Sequence, residues 1–233
     1  MEKVIYLLWR PAATAIEAWG AQLRRTLPDA LRDAGVRSAR LNLDDGDVAA
    51  AQNLRQQRME VPPQALLQLW LDSANAPLRA PVDAIAQAHS ARHAAYLVTE
   101  SQPLRNTRHP AQAGQRTAGF AQMALLLKPD HLTHEAWLTH WQTVQTPVAL
   151  ETQDTFEYVQ NVVVRALTPD APALDGIVEE CFPADAMTDP LAFFDARGDQ
   201  QKFERHLQTM MASVNRFLDL PIDCLPTSQY PLL

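Results

Sequence analysis

Two stretches of this chain of 233 residues repeat one another at a constant distance. Residues 7–11 read Leu-Leu-Trp-Arg-Pro, and residues 125–129, which lie 118 positions later, read Leu-Leu-Leu-Lys-Pro. The triplet Glu-Ala-Trp occurs at 17–19 and again, at the same distance, at 135–137. Ordered matches at one distance indicate duplication, and a unit of roughly 115 residues has the size of a domain rather than of a solenoid repeat.

The segment between the two copies has the composition of a linker. Residues 105–117 contain three arginines together with Asn, Pro, Gly and Gln, a mixture that favours turns over helix or strand. We therefore predict three parts: half one at 1–104, a linker at 105–117, and half two at 118–233.

Strands and helices alternate in the same order in both halves. In half two, apolar runs of strand length lie at 120–128, 156–167 and 176–182, and apolar side chains recur every three or four residues from Trp137 and again from Phe203. A last strand follows, and half one repeats this order with weaker signals. The order β-α-β-β-α-β is that of a ferredoxin-like unit. The predicted fold class is therefore α+β, with two tandem ferredoxin-like βαββαβ units.

Two long connections distinguish the halves. Half one has an acidic and then basic stretch at 44–63, and half two has an insertion at 183–198 that carries Phe193 and Phe194. Long connections inside compact domains are often lids or binding loops. The alternative is that these aromatic side chains simply fill the core.

Composition excludes several classes of function. The formal net charge is -7 and no cluster of Lys and Arg stands out, so we expect no nucleic-acid partner. No Gly-rich phosphate loop occurs. No apolar run approaches the roughly 20 residues that span a bilayer, and no secretory signal is present, so we expect a cytoplasmic protein with no membrane partner. The thiols of Cys181 and Cys224 should then be reduced and buried. The pairs His131 and His134, and His89 and His93, have spacings that could share a metal ion. Neither pair comes with a nearby Cys or a His-Glu-x-x-His pattern, so we predict no metal site.

A Trp-rich helix followed at a fixed distance by a strand is the most specific pattern in the chain. Its residues are Lys128, Pro129, Trp137, His140, Trp141 and Pro147, followed by Phe-Glu-Tyr-Val-Gln-Asn at 156–161. The pattern resembles the EthD family, best across residues 119–182. The resemblance implies a dimeric α/β-barrel-type arrangement, in which two ferredoxin-like units pack their sheets against each other and enclose a pocket.

The resemblance also implies a function. EthD-like proteins are associated with oxidative breakdown of ethers, and no cofactor is shared by the whole family. We expect a small apolar or aromatic organic molecule in the barrel pocket of an oxidoreductase or cofactor-free catabolic enzyme. The alternative is a non-catalytic ligand-binding or assembly protein, because the family usually has a histidine where this chain has Gln145, which cannot titrate. A haem or metal protein is a third possibility. A homodimer stays open, since such a barrel forms within one chain or between two.

Candidate site residues follow from the resemblance and from strand alternation. His140 is the candidate catalytic residue, for proton transfer, although a lone histidine on a helix is more often a surface residue. On the strand at 120–128, the face with Gln122 should look into the barrel and the fully apolar face should pack on the helices. The predicted substrate-binding residues are Trp141, Gln145, Tyr158, Gln160, Gln122, Lys128, Tyr6 and Arg10.

A pair of adjacent carboxylates, Glu179 and Glu180, lies in the strand at 176–182. Neighbouring residues of a strand point to opposite faces, so the two cannot act together on one substrate. We expect one of them to line the pocket and the other to be solvated.

Overall fold

The computed structural model describes all 233 residues. Its eight strands are Glu2–Trp9 (β1), Ser38–Leu43 (β2), Ala65–Leu71 (β3), Arg92–Leu104 (β4), Phe120–Leu126 (β5), Glu157–Ala166 (β6), Gly176–Phe182 (β7) and Asp223–Pro231 (β8). The α-helices are Ile16–Asp33 (α1), Ala76–His89 (α2), His134–His140 (α3), Thr146–Thr152 (α4), Pro190–Phe193 (α5) and Gln200–Val214 (α6). Segments of 3-10 helix lie at Gly46–Leu54 and Ala184–Met187, and a π-helical turn at Trp141–Gln145 joins α3 to α4.

All eight strands form one closed antiparallel barrel, with the helices outside it. The order around the barrel is β1-β3-β2-β8-β5-β7-β6-β4. Pairing of β2 with β8 and of β4 with β6 joins the two halves. The predicted fold class, two tandem ferredoxin-like units in a dimeric α/β-barrel-type arrangement, is therefore wrong. No two sheets meet face to face, because the strands at their edges pair with each other and closure leaves no exposed backbone edge.

The side chains of the strands alternate between the barrel interior and the helices. Ile5 and Met123 belong to the apolar cluster that fills the interior, whereas Tyr6 packs with the helices of half one and Leu126 with those of half two. The prediction that the Gln122 face of β5 looks into the barrel is wrong. An eight-stranded barrel is just wide enough to be filled by its own side chains, so the more apolar face of β5 lies inside.

One end of the interior is polar and centred on Glu179, which is fully buried. Its carboxylate accepts hydrogen bonds from Arg40 Nη1 at 2.7 Å, Asn42 Nδ2 at 2.7 Å and Gln229 Nε2 at 2.8 Å. Burial alone would raise the pKa of Glu179, but Arg40 and the amide donors outweigh it and lower the pKa. The expectation that one of the two adjacent glutamates is solvated is wrong, because Glu179 is an ionised group that holds strands of both halves together.

The remaining segments connect these elements. Residues 105–119, between β4 and β5, contain no helix or strand, and the division of the chain into two domains around them stays a prediction. No helix combines the length and the apolar character that crossing a membrane requires.

Candidate functional site

A cavity of about 360 Å³ lies between the barrel wall and the helices of half two. This volume is within the range of small-molecule sites. Strands β5 to β8 form its floor, and the α3–α4 segment, α5 and α6 cover it. Of its 23 lining residues, 16 are hydrophobic, so a ligand would exchange water for a mostly apolar surface.

Aromatic and thioether side chains form the cavity walls, among them Trp141, Phe193, Phe217 and Met210. Trp141 can approach the barrel closely because β7 begins with a glycine. A Cβ atom on Gly176 would lie 2.7 Å from Cζ3 of Trp141, which is too short for two carbon atoms. The glycine therefore lets the Trp141 ring pack directly against β7.

Both long connections reach this cavity. Leu54 and Gln56 of the 44–63 connection line it, and Gln56 exchanges backbone hydrogen bonds of 3.0 and 2.9 Å with Cys224 on β8. Phe193 of the 183–198 insertion also lines it, while stacking on Phe182 with the ring centroids 4.3 Å apart. The insertion therefore has both of the roles considered from the sequence, because its aromatic side chains fill part of the core and also close one side of the cavity.

Three polar side chains form a row across the cavity floor. Gln122 on β5 is the registered partner of Glu180 on β7, which in turn pairs with Tyr158 on β6. All three line the cavity. Directly paired residues on one face of a sheet have Cβ atoms about 5 Å apart, so one small ligand can contact all three.

Glu180 is the single charged side chain among the lining residues. Burial in this apolar setting raises the pKa of its carboxyl to about 7, and no hydrogen bond or cation opposes the effect. The other titratable groups that line the cavity are Tyr158 and Cys224, and burial raises the pKa of both. Near neutral pH they stay uncharged, so Glu180 alone exchanges a proton there.

Tyr158 is held in place by the helix above it. Trp141 Nε1 donates to Tyr158 Oη at 3.3 Å, which leaves the phenol O–H available as a donor. Behind Trp141, Gln160 Nε2 donates to Thr146 Oγ1 at 2.7 Å, and Thr146 Oγ1 donates to the carbonyl oxygen of Trp141 at 2.8 Å. This chain of hydrogen bonds fixes the orientation of the π-helical turn relative to β6.

The π-helical turn presents Gln145 to the cavity. Such turns inside α-helices are often found at functional sites. Gln145 is 7% exposed, and its Nε2 donates to Met210 Sδ at 3.1 Å. Its Oε1 is buried without a partner. A buried acceptor with no donor is uncommon in proteins, so Gln145 offers an open hydrogen-bond acceptor at the cavity wall.

The structure brings some of the predicted site residues together. Trp141, Gln145, Tyr158 and Gln122 line one cavity, although it lies outside the barrel rather than within it. Gln160 is buried beside them without reaching the cavity surface.

The other predicted residues lie elsewhere. His140 stacks on Phe217, and its Nε2 is 3.1 Å from the carbonyl oxygen of Ser213 on α6. The ammonium of Lys128 donates to the carbonyl oxygens of Pro129 and Leu132. Tyr6 packs in half one, and Arg10 donates to backbone carbonyl oxygens just after β1. None of these four lines the cavity, and their predicted roles stay predictions.

Sequence analysis expected one of Glu179 and Glu180 to line the pocket but did not say which. The available signal was that the two are neighbours, because alternation sends one of the two side chains to each face. Which one meets the cavity depends on the direction of β7 in the closed barrel. No histidine lines the cavity, and no group of three or more His, Cys, Asp or Glu side chains is placed to hold a metal ion.

A closed antiparallel barrel with a helix-covered cavity on one half defines the class of this protein. Within it, residues 129–221 match the EthD domain, a range that includes the π-helical turn, β6, β7 and α6. This match confirms the resemblance to the EthD family predicted from the Trp-rich helix.

Solved structures with a similar fold cover nearly the whole chain. One is the crystal structure of an anthrone oxidase-like protein, with a TM-score of 0.59, 8% identity, and coverage of 99% of this chain and 93% of that chain. Another is a dye-decolorizing peroxidase from Bacteroides thetaiotaomicron VPI-5482, with a TM-score of 0.51, 10% identity, and coverage of 99% and 92%. At these identities the likeness shows the fold alone. A comparison with curated protein sequences finds no match.

Proposed function

We propose that this protein binds a small, largely apolar ketone in the half-two cavity and catalyses its enolisation. The observation that carries the proposal is Glu180, a carboxyl group with a pKa of about 7 and no protein partner, in an apolar cavity. A base with a pKa near the working pH is well suited to proton transfer. Beside it, Tyr158 supplies a neutral O–H donor for the carbonyl oxygen.

The reaction needs only these two groups. The Glu180 carboxylate accepts a proton from the carbon activated by the carbonyl group. The electron pair of that C–H bond forms the C=C bond of the enolate, and the π pair of the carbonyl group moves to its oxygen. Tyr158 O–H then donates a stronger hydrogen bond, because the enolate oxygen carries more charge than the ketone oxygen. Return of the proton from Glu180 to another atom yields the tautomer.

Oxidation is a second outcome of the same step when dioxygen is present. With anthrone, the enolate reacts with dioxygen as the oxidant. One oxygen atom becomes the new carbonyl and the other leaves as water with the two methylene hydrogens. The name of the structurally similar anthrone oxidase-like protein supports anthrone as the first ketone to test. This pathway needs no cofactor, in keeping with the expected cofactor-free catabolic enzyme.

Proton transfer is assigned to Glu180 and not to His140, because His140 does not line the cavity and its Nε2 is engaged by Ser213. The non-catalytic alternative is favoured by one observation, namely that Gln145 occupies the cavity wall and cannot titrate. The two functions differ in a single measurable quantity, which is exchange of the ketone's acidic hydrogens.

Hydrogen–deuterium exchange of the anthrone methylene in D₂O, followed by mass spectrometry without oxygen, tests the proposal. The enzyme-dependent rate should rise with pH and reach half its maximum near pH 7, because the ionised form of Glu180 is the base. Glu180→Gln should lower the rate about 1000-fold, while quenching of Trp141 fluorescence still reports binding. Glu204→Gln, on the exposed face of α6, is the matched control.

Exchange by Glu180→Gln at the wild-type rate would refute the role of this carboxyl. Binding by the wild-type protein without any exchange would refute enolisation and support the non-catalytic alternative. The visible absorption spectrum of the purified protein, recorded first, shows whether haem is present.

A further inference from the structure

We infer that the ligand is an uncharged hydroxy-ketone and that Gln145 is the residue that recognises its hydroxyl group. The inference rests on the proposed function, because it concerns the same cavity, and it names the class of substrate that the cavity takes. Two observations carry it: the unpartnered Gln145 oxygen and the distribution of charge around the cavity.

The Gln145 side chain requires a donor. Its nitrogen already contacts Met210 Sδ, and its Oε1 is buried without a partner. Leaving such an acceptor unmatched is unfavourable, because the oxygen has lost its hydrogen bonds to water. A hydroxyl group can supply the missing hydrogen bond, whereas a ketone oxygen cannot, because it only accepts. The wall that carries Gln145 therefore selects a donor on the ligand.

A second residue of the lining makes the complementary demand. Tyr158 lies on the barrel floor and offers an O–H donor, so it prefers an acceptor such as a ketone oxygen. Trp141 lies one turn before Gln145 on the same segment and donates to Tyr158 Oη at 3.3 Å. A molecule that carries both a ketone and a hydroxyl group can satisfy both Tyr158 and Gln145.

The charge of the lining residues narrows the class of ligand further. The lining carries one negative group, Glu180, and no positive group. Arg55 is a cation next to the lining in sequence, between Leu54 and Gln56, and its guanidinium is engaged by Asp44 at 2.7 Å and by Gln52 at 2.8 Å. A carboxylate or phosphate ester would lose its hydration without gaining a counter-ion. Anionic ligands are therefore rejected.

Calorimetric titration with a matched series of tetralones tests the inference. The series contains tetralone, its hydroxylated positional isomers and the carboxylated analogue. For the wild-type protein, at least one hydroxytetralone should bind about tenfold more tightly than tetralone, and the carboxylate at least about 100-fold more weakly. Gln145→Leu should abolish the preference for the hydroxyl group, so that the hydroxytetralones and tetralone bind this variant with equal affinity.

Gln142→Leu is the control, because Gln142 is exposed on the same π-helical turn and should keep the wild-type preference. If thermal unfolding shows that Gln145→Leu is not folded, Gln145→Met replaces it. A hydroxyl preference that survives in the folded Gln145 variant overturns the inference, as does equal affinity for the carboxylate.

Naphthol and naphthalene separate this inference from the proposed function, because neither compound contains a ketone. A Gln145-dependent preference for naphthol, together with no exchange of any ketone, would leave the role of Gln145 standing and refute enolisation. Exchange that depends on Glu180, without a preference for naphthol over naphthalene, would support enolisation and refute the role of Gln145.

Discussion

The two halves of the barrel carry opposite chemistry at corresponding positions. Half one pairs β1 with β3 and β3 with β2, and half two pairs β5 with β7 and β7 with β6 in the same way. The corresponding rows are Val4, Leu69 and Ala39 in half one and Gln122, Glu180 and Tyr158 in half two. The first row is buried in an apolar cluster, whereas the second lines the cavity.

The next residue on the same face of the first strand explains why half one has no equivalent cavity. Tyr6 fills the gap between the barrel and α2, and its hydroxyl donates to Asp83 Oδ1 at 2.6 Å. The corresponding residue 118 positions later is Ala124, whose small side chain lines the cavity. The same arrangement of strands thus becomes a packed core or a candidate site through the size and polarity of a few side chains.

The helices differ in the same sense. Leu23 and Leu27 on the continuous helix α1 are fully buried. The residues 118 positions later in half two are Trp141 and Gln145, the first and last residues of the π-helical turn. The turn presents an amide to the cavity where half one presents a leucine to its core.

The largest expected effect comes from exchanging the middle residue of each row. Leu69→Glu places an unpaired carboxylate in a packed apolar cluster and removes a large side chain, and it should lower the free energy of unfolding by at least about 4 kcal/mol. Glu180→Leu should change it by less than about 1 kcal/mol or raise it, because it removes a charge that burial destabilises. Urea unfolding of both variants at pH 7 measures the difference. Similar losses in the two variants would show that the rows are equally packed.

A substitution that places the tyrosine of half one at the corresponding position of half two should have the next largest effect. Ala124→Tyr should fill the cavity and weaken anthrone binding at least about 100-fold, which corresponds to roughly 2.7 kcal/mol. Fluorescence titration measures the affinity, and thermal unfolding shows whether the fold is kept. Ala192→Ser, at a buried position of α5 that does not line the cavity, is the control. Unchanged affinity in a folded Ala124→Tyr protein would place the ligand elsewhere.

The two tyrosines give the smallest effects and separate stability from activity. Tyr158→Phe removes the donor to the enolate and should lower the exchange rate about 30-fold, the value of a hydrogen bond to a charged group. Tyr6→Phe removes the bond to Asp83 and should cost about 1 kcal/mol of stability with no change in exchange. Exchange kinetics and urea unfolding are measured on both variants. A slower exchange in Tyr6→Phe would indicate that half one takes part in the reaction.

Much of the local structure and part of the site could be predicted from local patterns. The spacing of Trp137 and Trp141 indicated a helix, and together with the run at 156–161 it led to the EthD family. Trp141, Gln145, Tyr158 and Gln122 were named from the same patterns, and the structure places them around one cavity. Local patterns succeed here because helix periodicity and strand alternation depend on near neighbours in the chain.

What the amino-acid sequence alone determined was which side chains share a face of each strand and helix. The tertiary structure decided which face became the barrel interior, and so which of Glu179 and Glu180 met the cavity. That choice follows from the pairing of β2 with β8 and of β4 with β6. These contacts join residues far apart in the chain, and an alternation with a period of two reads the same whichever side is turned inward.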